Sequence, residues 1–253
     1  MNPILISSPV PRSGTTLVQR LLCSAPNTLI YGEDCANDIN MFLNIIFHKQ
    51  IFLNANKEWR NKQLASVLAG EANSWIPNLM PDVDDYFEAI KSSGLSLVKY
   101  YQDAATKNGR PIWGAKLPQW NIHSLVQIHK FLPESKVIYL VRNLADSLRS
   151  AKANQLVQGF EEAQRFCQTW KQNKDYASQN LTGERAFHLN YEDLVANPTE
   201  MIQKIELFTH SEGIDASVLE YKINTYVNNS PIGYLKPAEL EDKELELINY
   251  FKE

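Results

Sequence analysis

The chain has 253 residues, of which 44% are hydrophobic and 21% are charged, and its formal net charge is −4. This composition is typical of a soluble globular protein, and it excludes a disordered, a collagen-like or a coiled-coil chain. The net negative charge argues against nucleic acid as a partner. With no basic segment before the first apolar stretch and no apolar run long enough for a bilayer, we expect a cytoplasmic protein with no membrane partner.

Short apolar runs alternate with longer helical patterns along the chain. We predict strands over residues 4–7, 28–31, 111–117, 136–141 and 185–189, the fourth of which reads KVIYLV. We predict helices over residues 14–24, from 37 to about 107 with breaks near 54 and around 77–82, over 122–132 and over 145–180. After the fifth strand, helices are predicted to the C-terminus, interrupted by a loop at 228–237.

This alternation predicts an α/β fold in which helices flank a central parallel sheet. We expect one domain over residues 1–253, with the helical stretch of about 37–107 as an insertion. Ligands of such sheets bind outside the carboxyl ends of the strands. The residues that follow each strand are therefore the candidate site residues.

The first predicted strand is followed by Arg12-Ser13-Gly14-Thr15-Thr16 and then by a helix. A helix N-terminus offers unpaired N–H groups and the positive end of a dipole, so the segment predicts an anion site. The alternative is a capped helix start without a ligand. The loop is P-loop-like, but Thr15 stands where a Walker lysine would be, which favours a nucleotide with a shorter anionic tail than a triphosphate.

Two later strand ends carry polar residues that fit the same kind of ligand. Arg142 follows the fourth strand, and Ser150 lies about two helical turns further on, so the two side chains can hold one phosphate. Tyr191 follows the fifth strand, where an aromatic ring can stack on a base. Taken singly, a helix cap and a core tyrosine remain the alternatives for these positions.

Together, PRSGTT after the first strand, R-x7-S after a central strand and YEDL-x2-NP after a later one resemble the pattern of sulfotransferases that use 3′-phosphoadenosine 5′-phosphosulfate (PAPS). The resemblance implies the P-loop-like sulfotransferase fold. It implies that Arg12, Ser13, Gly14, Thr15 and Thr16 hold the 5′-phosphosulfate. It further implies that Arg142 and Ser150 hold the 3′-phosphate, that Tyr191 lies near the adenine, and that Ser230 and Lys236 are candidates for a loop that closes over the 3′-phosphate.

The segment Tyr31-Gly32-Glu33 is similar to that of tyrosylprotein sulfotransferases and their bacterial relatives, in which a glutamate is the base. This likeness implies that Glu33 is the catalytic base, and that Lys116 and Arg12 stabilise the transition state. The cytosolic phenol and steroid enzymes have a histidine two residues after the lysine that corresponds to Lys116, and this chain does not. The alternative for both Glu33 and Lys116 is a surface residue.

The resemblance implies transfer of a sulfuryl group to a hydroxyl or amine of a small molecule, with adenosine 3′,5′-bisphosphate as the other product. We expect the helical stretch of about 37–107 to form the acceptor pocket, and a secondary metabolite is a candidate acceptor. The sequence shows no cluster of metal ligands, and we expect no metal. Two alternatives stay open, a P-loop-type nucleotide or metabolite kinase and a nucleotide-binding module without catalysis. The sequence does not indicate an oligomeric state.

Overall fold

The computed structural model describes residues 1–73, 75–221 and 236–252. The chain forms two compact units. One comprises Met1–Asn37 and Gln102–Glu253 and contains the β-sheet, and the other is Asp38–Tyr101 and is helical.

The five predicted strands are all present, and each lies within one residue of its predicted bounds. They are β1 (Ile4–Ser7), β2 (Thr28–Tyr31), β3 (Ile112–Lys116), β4 (Lys136–Val141) and β5 (Ala186–Asn190). The described α-helices are α1 (Thr15–Ser24), α2 (Glu33–Asn54), α3 (Lys57–Leu68), α4 (Val83–Lys107), α5 (Ile122–Gln127), α6 (Leu144–Ala153), α7 (Phe160–Asn180), α8 (Tyr191–Ala196), α9 (Pro198–Thr209) and α10 (Asp242–Lys252). Short 3-10 helices span Ile128–Lys130 and Ala216–Glu220.

Two predicted helix bounds were wrong. The helix expected to begin at residue 37 begins at Glu33, because two acidic residues in its first turn complement the positive end of the helix dipole. The region predicted to be helical over 145–180 contains two helices, α6 and α7, with a break between them that was not predicted. They are separated because Gly159, with a φ of 79°, adopts a backbone conformation that other residues rarely adopt and precedes the first residue of α7.

The sheet is parallel throughout, with the strand order β2-β3-β1-β4-β5. Its central strands are buried on both faces, as expected of an apolar run such as KVIYLV. Because the strands are parallel and in register, their carboxyl ends lie along one edge. That edge carries the segments that begin at Ser8, Gly32, Leu117, Arg142 and Tyr191.

Helices cover the sheet from both sides. Helices α1 and α9 contribute buried side chains to one apolar cluster with the strands, among them Leu21 and Ile205 packed with Ile6 and Ile138. Helices α6, α7 and α10 share a second cluster. The hydroxyl of Tyr139 on β4 donates to the carbonyl of Asn173 on α7 (3.2 Å) and so connects the sheet to that helix.

The helical unit has its own interactions. The Lys57 ammonium lies 2.6 Å from an Asp84 carboxylate oxygen. The guanidinium of Arg60 stacks over the Phe52 ring at 4.6 Å. Within the described ranges, no helix has the length and apolar character that a bilayer span requires, and no grouping of three or more metal-ligating side chains is found there.

Candidate active site

The loop between β1 and α1 is held in shape by its own side chains. The hydroxyls of Ser8 and Ser13 both donate to the carbonyl of Val10, each at 2.8 Å. Ser13 is fully buried, so its hydroxyl lies inside the loop, and a contact of Ser13 with the 5′-phosphosulfate stays a prediction. Gly14 has a φ of 99° and directly precedes Thr15, the first residue of α1. This geometry directs the first N–H groups of α1 to the carboxyl edge of the sheet.

Arg12 connects this loop to two other predicted site residues. Its Nε donates to the hydroxyl of Ser150 on α6 at 3.2 Å. Its own carbonyl accepts a hydrogen bond from Nη1 of Arg142, also at 3.2 Å. Arg12 has a φ of 69°, an uncommon value for a residue with a side chain, and uncommon backbone conformations concentrate at functional sites. The structure therefore brings together the three residues that the sequence assigned to two different phosphates.

The guanidinium of Arg142 lies over the ring of Tyr191, 4.5 Å from the ring centroid. No carboxylate in the described part of the chain lies within 4 Å of it. Its Nε is buried and has no hydrogen-bond partner among the described residues. A guanidinium that a carboxylate does not neutralise keeps its charge available for an anion.

The ring of Tyr191 also lies against Gly14. A Cβ atom added to Gly14 would lie 2.6 Å from Cδ2 of Tyr191, much closer than such atoms approach one another. The ring thus contacts both the β1–α1 loop and Arg142. Whether it also lies near an adenine stays a prediction.

Glu33 and Lys116, the predicted base and its cationic partner, form an ion pair. An oxygen of Glu33 lies 2.5 Å from Nζ of Lys116. The ammonium is almost fully buried, with 5% of the side chain exposed, whereas 52% of the Glu33 side chain is exposed. The register explains the contact, because Tyr31 of β2 lies beside Ala115 of β3. Glu33 and Lys116 follow these positions closely, so they lie at the same end of neighbouring strands.

The segment after β3 is bound to the segment after β1. The N–H of Gln119 donates to the carbonyl of Ser8 (3.1 Å), and the N–H of Trp120 donates to the hydroxyl of Ser7 (3.1 Å). Lys116 itself lies beside Ile6 in the β1–β3 register. The Glu33–Lys116 pair and the β1–α1 loop are therefore parts of one hydrogen-bonded edge.

Of the two candidates for a closing loop, Ser230 lies outside the described residues. Lys236 is exposed and, with Arg149, lines a cavity of about 470 Å³. The N–H of Ala238 donates to the carbonyl of Arg149 at 3.3 Å. Since Arg149 precedes Ser150, Lys236 lies close to the helix that carries a predicted phosphate ligand.

Two residues of the site were not predicted from the sequence. The indole N–H of Trp170 on α7 donates to the carbonyl of Arg142 at 3.1 Å. A carboxylate oxygen of Glu192 accepts from the N–H of Asn143 at 2.9 Å. Glu192 belongs to the YEDL segment and could have been suspected from its neighbour Tyr191. Trp170 has no local signal, because its contact joins residues far apart in the chain.

The sequence matches the model described as the sulfotransferase family over residues 3–213, which contain every predicted site residue except Ser230 and Lys236. No curated protein sequence matches the chain significantly.

Solved structures with a similar fold include three sulfotransferases. The sulfotransferase domain from the Synechococcus PCC 7002 olefin synthase is 19% identical, with a TM-score of 0.52 and coverage of 100% of this chain and 95% of that chain. The sulfotransferase domain from the curacin biosynthetic pathway is 16% identical, with a TM-score of 0.52 and coverage of 100% and 98%. The sulfotransferase from Alicyclobacillus acidocaldarius is 13% identical, with a TM-score of 0.55 and coverage of 100% and 92%. The predicted α/β fold is thus confirmed.

Proposed function

The chain belongs to the sulfotransferase family, and from this membership we propose that it transfers a sulfuryl group from PAPS to a hydroxyl or amine of a small-molecule acceptor. The observation that carries the proposal is the connection of Arg12, Ser150 and Arg142 at the N-terminus of α1. Two guanidinium groups and one hydroxyl in a connected set fit a donor that has anionic groups on both its 5′ and its 3′ oxygens.

The residues present fit such a donor. Arg142, without a carboxylate partner in the described ranges, would bind the 3′-phosphate together with Ser150. The N-terminus of α1 and the Arg12 side chain would bind the 5′-phosphosulfate. Gly14 allows a close approach of the backbone, as its φ of 99° and lack of a Cβ indicate. The placement of Lys236 beside Arg149 supports a role for Lys236 near the 3′-phosphate.

In the transfer, the acceptor oxygen or nitrogen forms a bond to sulfur while the bond from sulfur to the bridging phosphate oxygen breaks. Glu33 would take the proton that the acceptor loses, and the 52% exposure of its side chain supports this role. Lys116 and Arg12 would stabilise the negative charge on the sulfuryl oxygens and on the leaving phosphate. The products are the sulfated acceptor and adenosine 3′,5′-bisphosphate, and no step requires a metal.

The proposal for the acceptor class has only the sources of two similar structures as support. Two of the similar structures are domains of an olefin synthase and of the curacin biosynthetic pathway, and a secondary metabolite is consistent with those sources. The contribution of the 37–107 stretch to an acceptor pocket, like the single-domain organisation and the cytoplasmic location, stays a prediction.

Calorimetric titration of the purified protein with adenosine 3′,5′-bisphosphate tests the donor assignment, with AMP and with ATP plus Mg²⁺ as controls. We expect the bisphosphate to bind at least about tenfold more tightly than AMP, because only it presents a 3′-phosphate to Arg142. A preference for ATP with Mg²⁺ would instead favour the kinase alternative, and equal binding of AMP and the bisphosphate would contradict the assignment of Arg142.

A further inference from the structure

Tyr191 and Arg142 leave neighbouring strands at the same level. In the β4–β5 register, Val141 lies beside Asn190, so the next residue of each strand is Arg142 on one side and Tyr191 on the other. Adjacent parallel strands lie about 4.8 Å apart. The sheet itself therefore places the tyrosine ring next to the arginine.

The backbone at Arg142 is fixed independently of Tyr191. Trp170 donates its indole N–H to the carbonyl of Arg142 (3.1 Å), and Glu192 accepts the N–H of Asn143 (2.9 Å). Asn143 in turn caps α6, since its side-chain oxygen accepts from the N–H of Ala145 at 2.9 Å. The position of the arginine backbone therefore does not require the tyrosine ring.

The guanidinium has fewer contacts. Its Nη1 donates to the carbonyl of Arg12 at 3.2 Å, and its Cζ lies 4.5 Å from the centroid of the Tyr191 ring. An arginine over an aromatic face is attracted by the negative charge density of that face, and more strongly where water is excluded. The ring also lies against Gly14 and packs against the apolar cluster that contains Ile6 and Ile138, and these contacts restrict its position.

We propose that Tyr191 is a positioning residue, whose ring holds the Arg142 guanidinium in the orientation that binds the 3′-phosphate of the donor. This inference rests on the proposed function, because it assumes that Arg142 binds that phosphate. It assigns to the ring an action through Arg142, distinct from a contact with adenine. The effect of Tyr191 is then specific to ligands that have a 3′-phosphate.

The test compares Tyr191→Leu with Tyr191→Phe by calorimetry, using adenosine 3′,5′-bisphosphate and AMP as probes. We expect Tyr191→Leu to weaken binding of the bisphosphate by about tenfold and that of AMP by less than about twofold. Tyr191→Phe keeps the aromatic face and should retain the wild-type ratio of the two affinities. A ring that acts only on adenine would lower both affinities equally in Tyr191→Leu, and that result would overturn the proposal.

A double-mutant cycle with Arg142→Ala gives a second, independent measurement. In the Arg142→Ala background, Tyr191→Leu should no longer change the ratio of bisphosphate to AMP affinity, because the group that the ring orients is absent. An unchanged tenfold effect in that background would contradict positioning.

If Tyr191→Leu does not fold, Tyr191→Phe still tests whether the aromatic ring or the hydroxyl is responsible for the 3′-phosphate preference. Loss of the 3′-phosphate preference in that variant would show that the hydroxyl acts, and not the ring face, and would overturn the proposal. Failure of the proposed function is seen separately, as a wild-type protein that does not prefer the bisphosphate over AMP.

Discussion

Glu33, the proposed base, is paired with a buried cation although its own side chain is half-exposed. Its side chain is 52% exposed, yet one of its oxygens lies 2.5 Å from an ammonium that is 5% exposed. The exposed face can meet an acceptor, while the paired oxygen keeps the carboxylate next to the cation proposed to stabilise the sulfuryl group. The proposed base and the proposed stabilising cation thus form an ion pair in the structure without an acceptor.

We expect Glu33→Gln to lower kcat by about a hundredfold or more, because the amide does not accept the acceptor proton. The affinity for adenosine 3′,5′-bisphosphate should change little, since the amide oxygen still accepts a hydrogen bond from Lys116. Steady-state rates and calorimetry on the same preparations measure both effects. Asp34→Asn, which changes an exposed carboxylate next in the chain, is the matched control and should keep full activity; a similar loss in both variants would contradict the base assignment.

At the scale of elements, the strands and most site residues could be predicted, but the contacts between those residues could not. A buried parallel strand such as β4 is a nearly continuous apolar run, so its bounds can be recognised without any neighbour. The pairing of Arg12 with Ser150 joins positions 138 residues apart, and that of Trp170 with Arg142 joins positions 28 apart. Contacts of this kind depend on strand order, which periodicity does not encode. For Arg12, Arg142 and Ser150, the rule that ligands bind at carboxyl ends of strands and the resemblance of their motifs to those of sulfotransferases predicted one common site. Neither indicated Trp170.

Position 114 in β3 leaves no room for a side chain. A Cβ there would overlap the carbonyl oxygen of Ile4 on the paired strand β1. We expect Gly114→Ala to lower the free energy of unfolding by about 3 kcal/mol, since an overpacked core residue must displace its neighbours. Urea denaturation measures the change. Gly32→Ala, where a Cβ would meet nothing within 4 Å, is the control and should unfold like the wild type.

At the scale of the unit that contains the sheet, helix α10 is joined to α6 by a buried ion pair. The ammonium of Lys152 lies 2.7 Å from an oxygen of Glu244, and 1% of the Glu244 side chain is exposed. Glu244 also accepts the N–H of Glu241 at 2.9 Å. Because α6 carries Ser150 and the segment before α10 carries Lys236, this pair connects two parts of the proposed donor site.

We expect Glu244→Gln or Lys152→Met alone to destabilise the protein by about 3 kcal/mol, because each leaves a buried partner without its counter-charge. The double variant should lower the free energy of unfolding by less than the sum of the two single variants. Urea denaturation of all four proteins gives the coupling free energy. Strict additivity would show that the pair does not contribute as a unit.

Cys167 on α7 lies in the apolar cluster that α6, α7 and α10 share, and its thiol is a probe of how these helices pack. Burial, and secondarily the charge of Glu244, raises the pKa of its thiol from 9.0 to about 12. The folded protein therefore keeps the thiol protonated between pH 9 and 12 while an unfolded chain loses the proton, so this group lowers stability as the pH rises through that range.

We expect Cys167 to resist iodoacetamide at pH 8 in the native protein and to react once α7 and α10 separate, because the reactive form is the thiolate. Mass spectrometry of the labelled peptides measures this, with the partly exposed Cys35 as the reference. Equal labelling rates at the two positions would contradict the buried packing.

Gly14 and Gly114 are both tightly packed, but different kinds of atoms surround them. The obstacle at Gly14 is the side chain of Tyr191, whereas the obstacle at Gly114 is the main chain of Ile4, which every amino acid shares. No exchange of a neighbouring side chain can make room at position 114. A genetic selection that starts from an inactive Gly114→Ala gene should therefore recover true reversion to glycine rather than a second-site suppressor among the contacting residues.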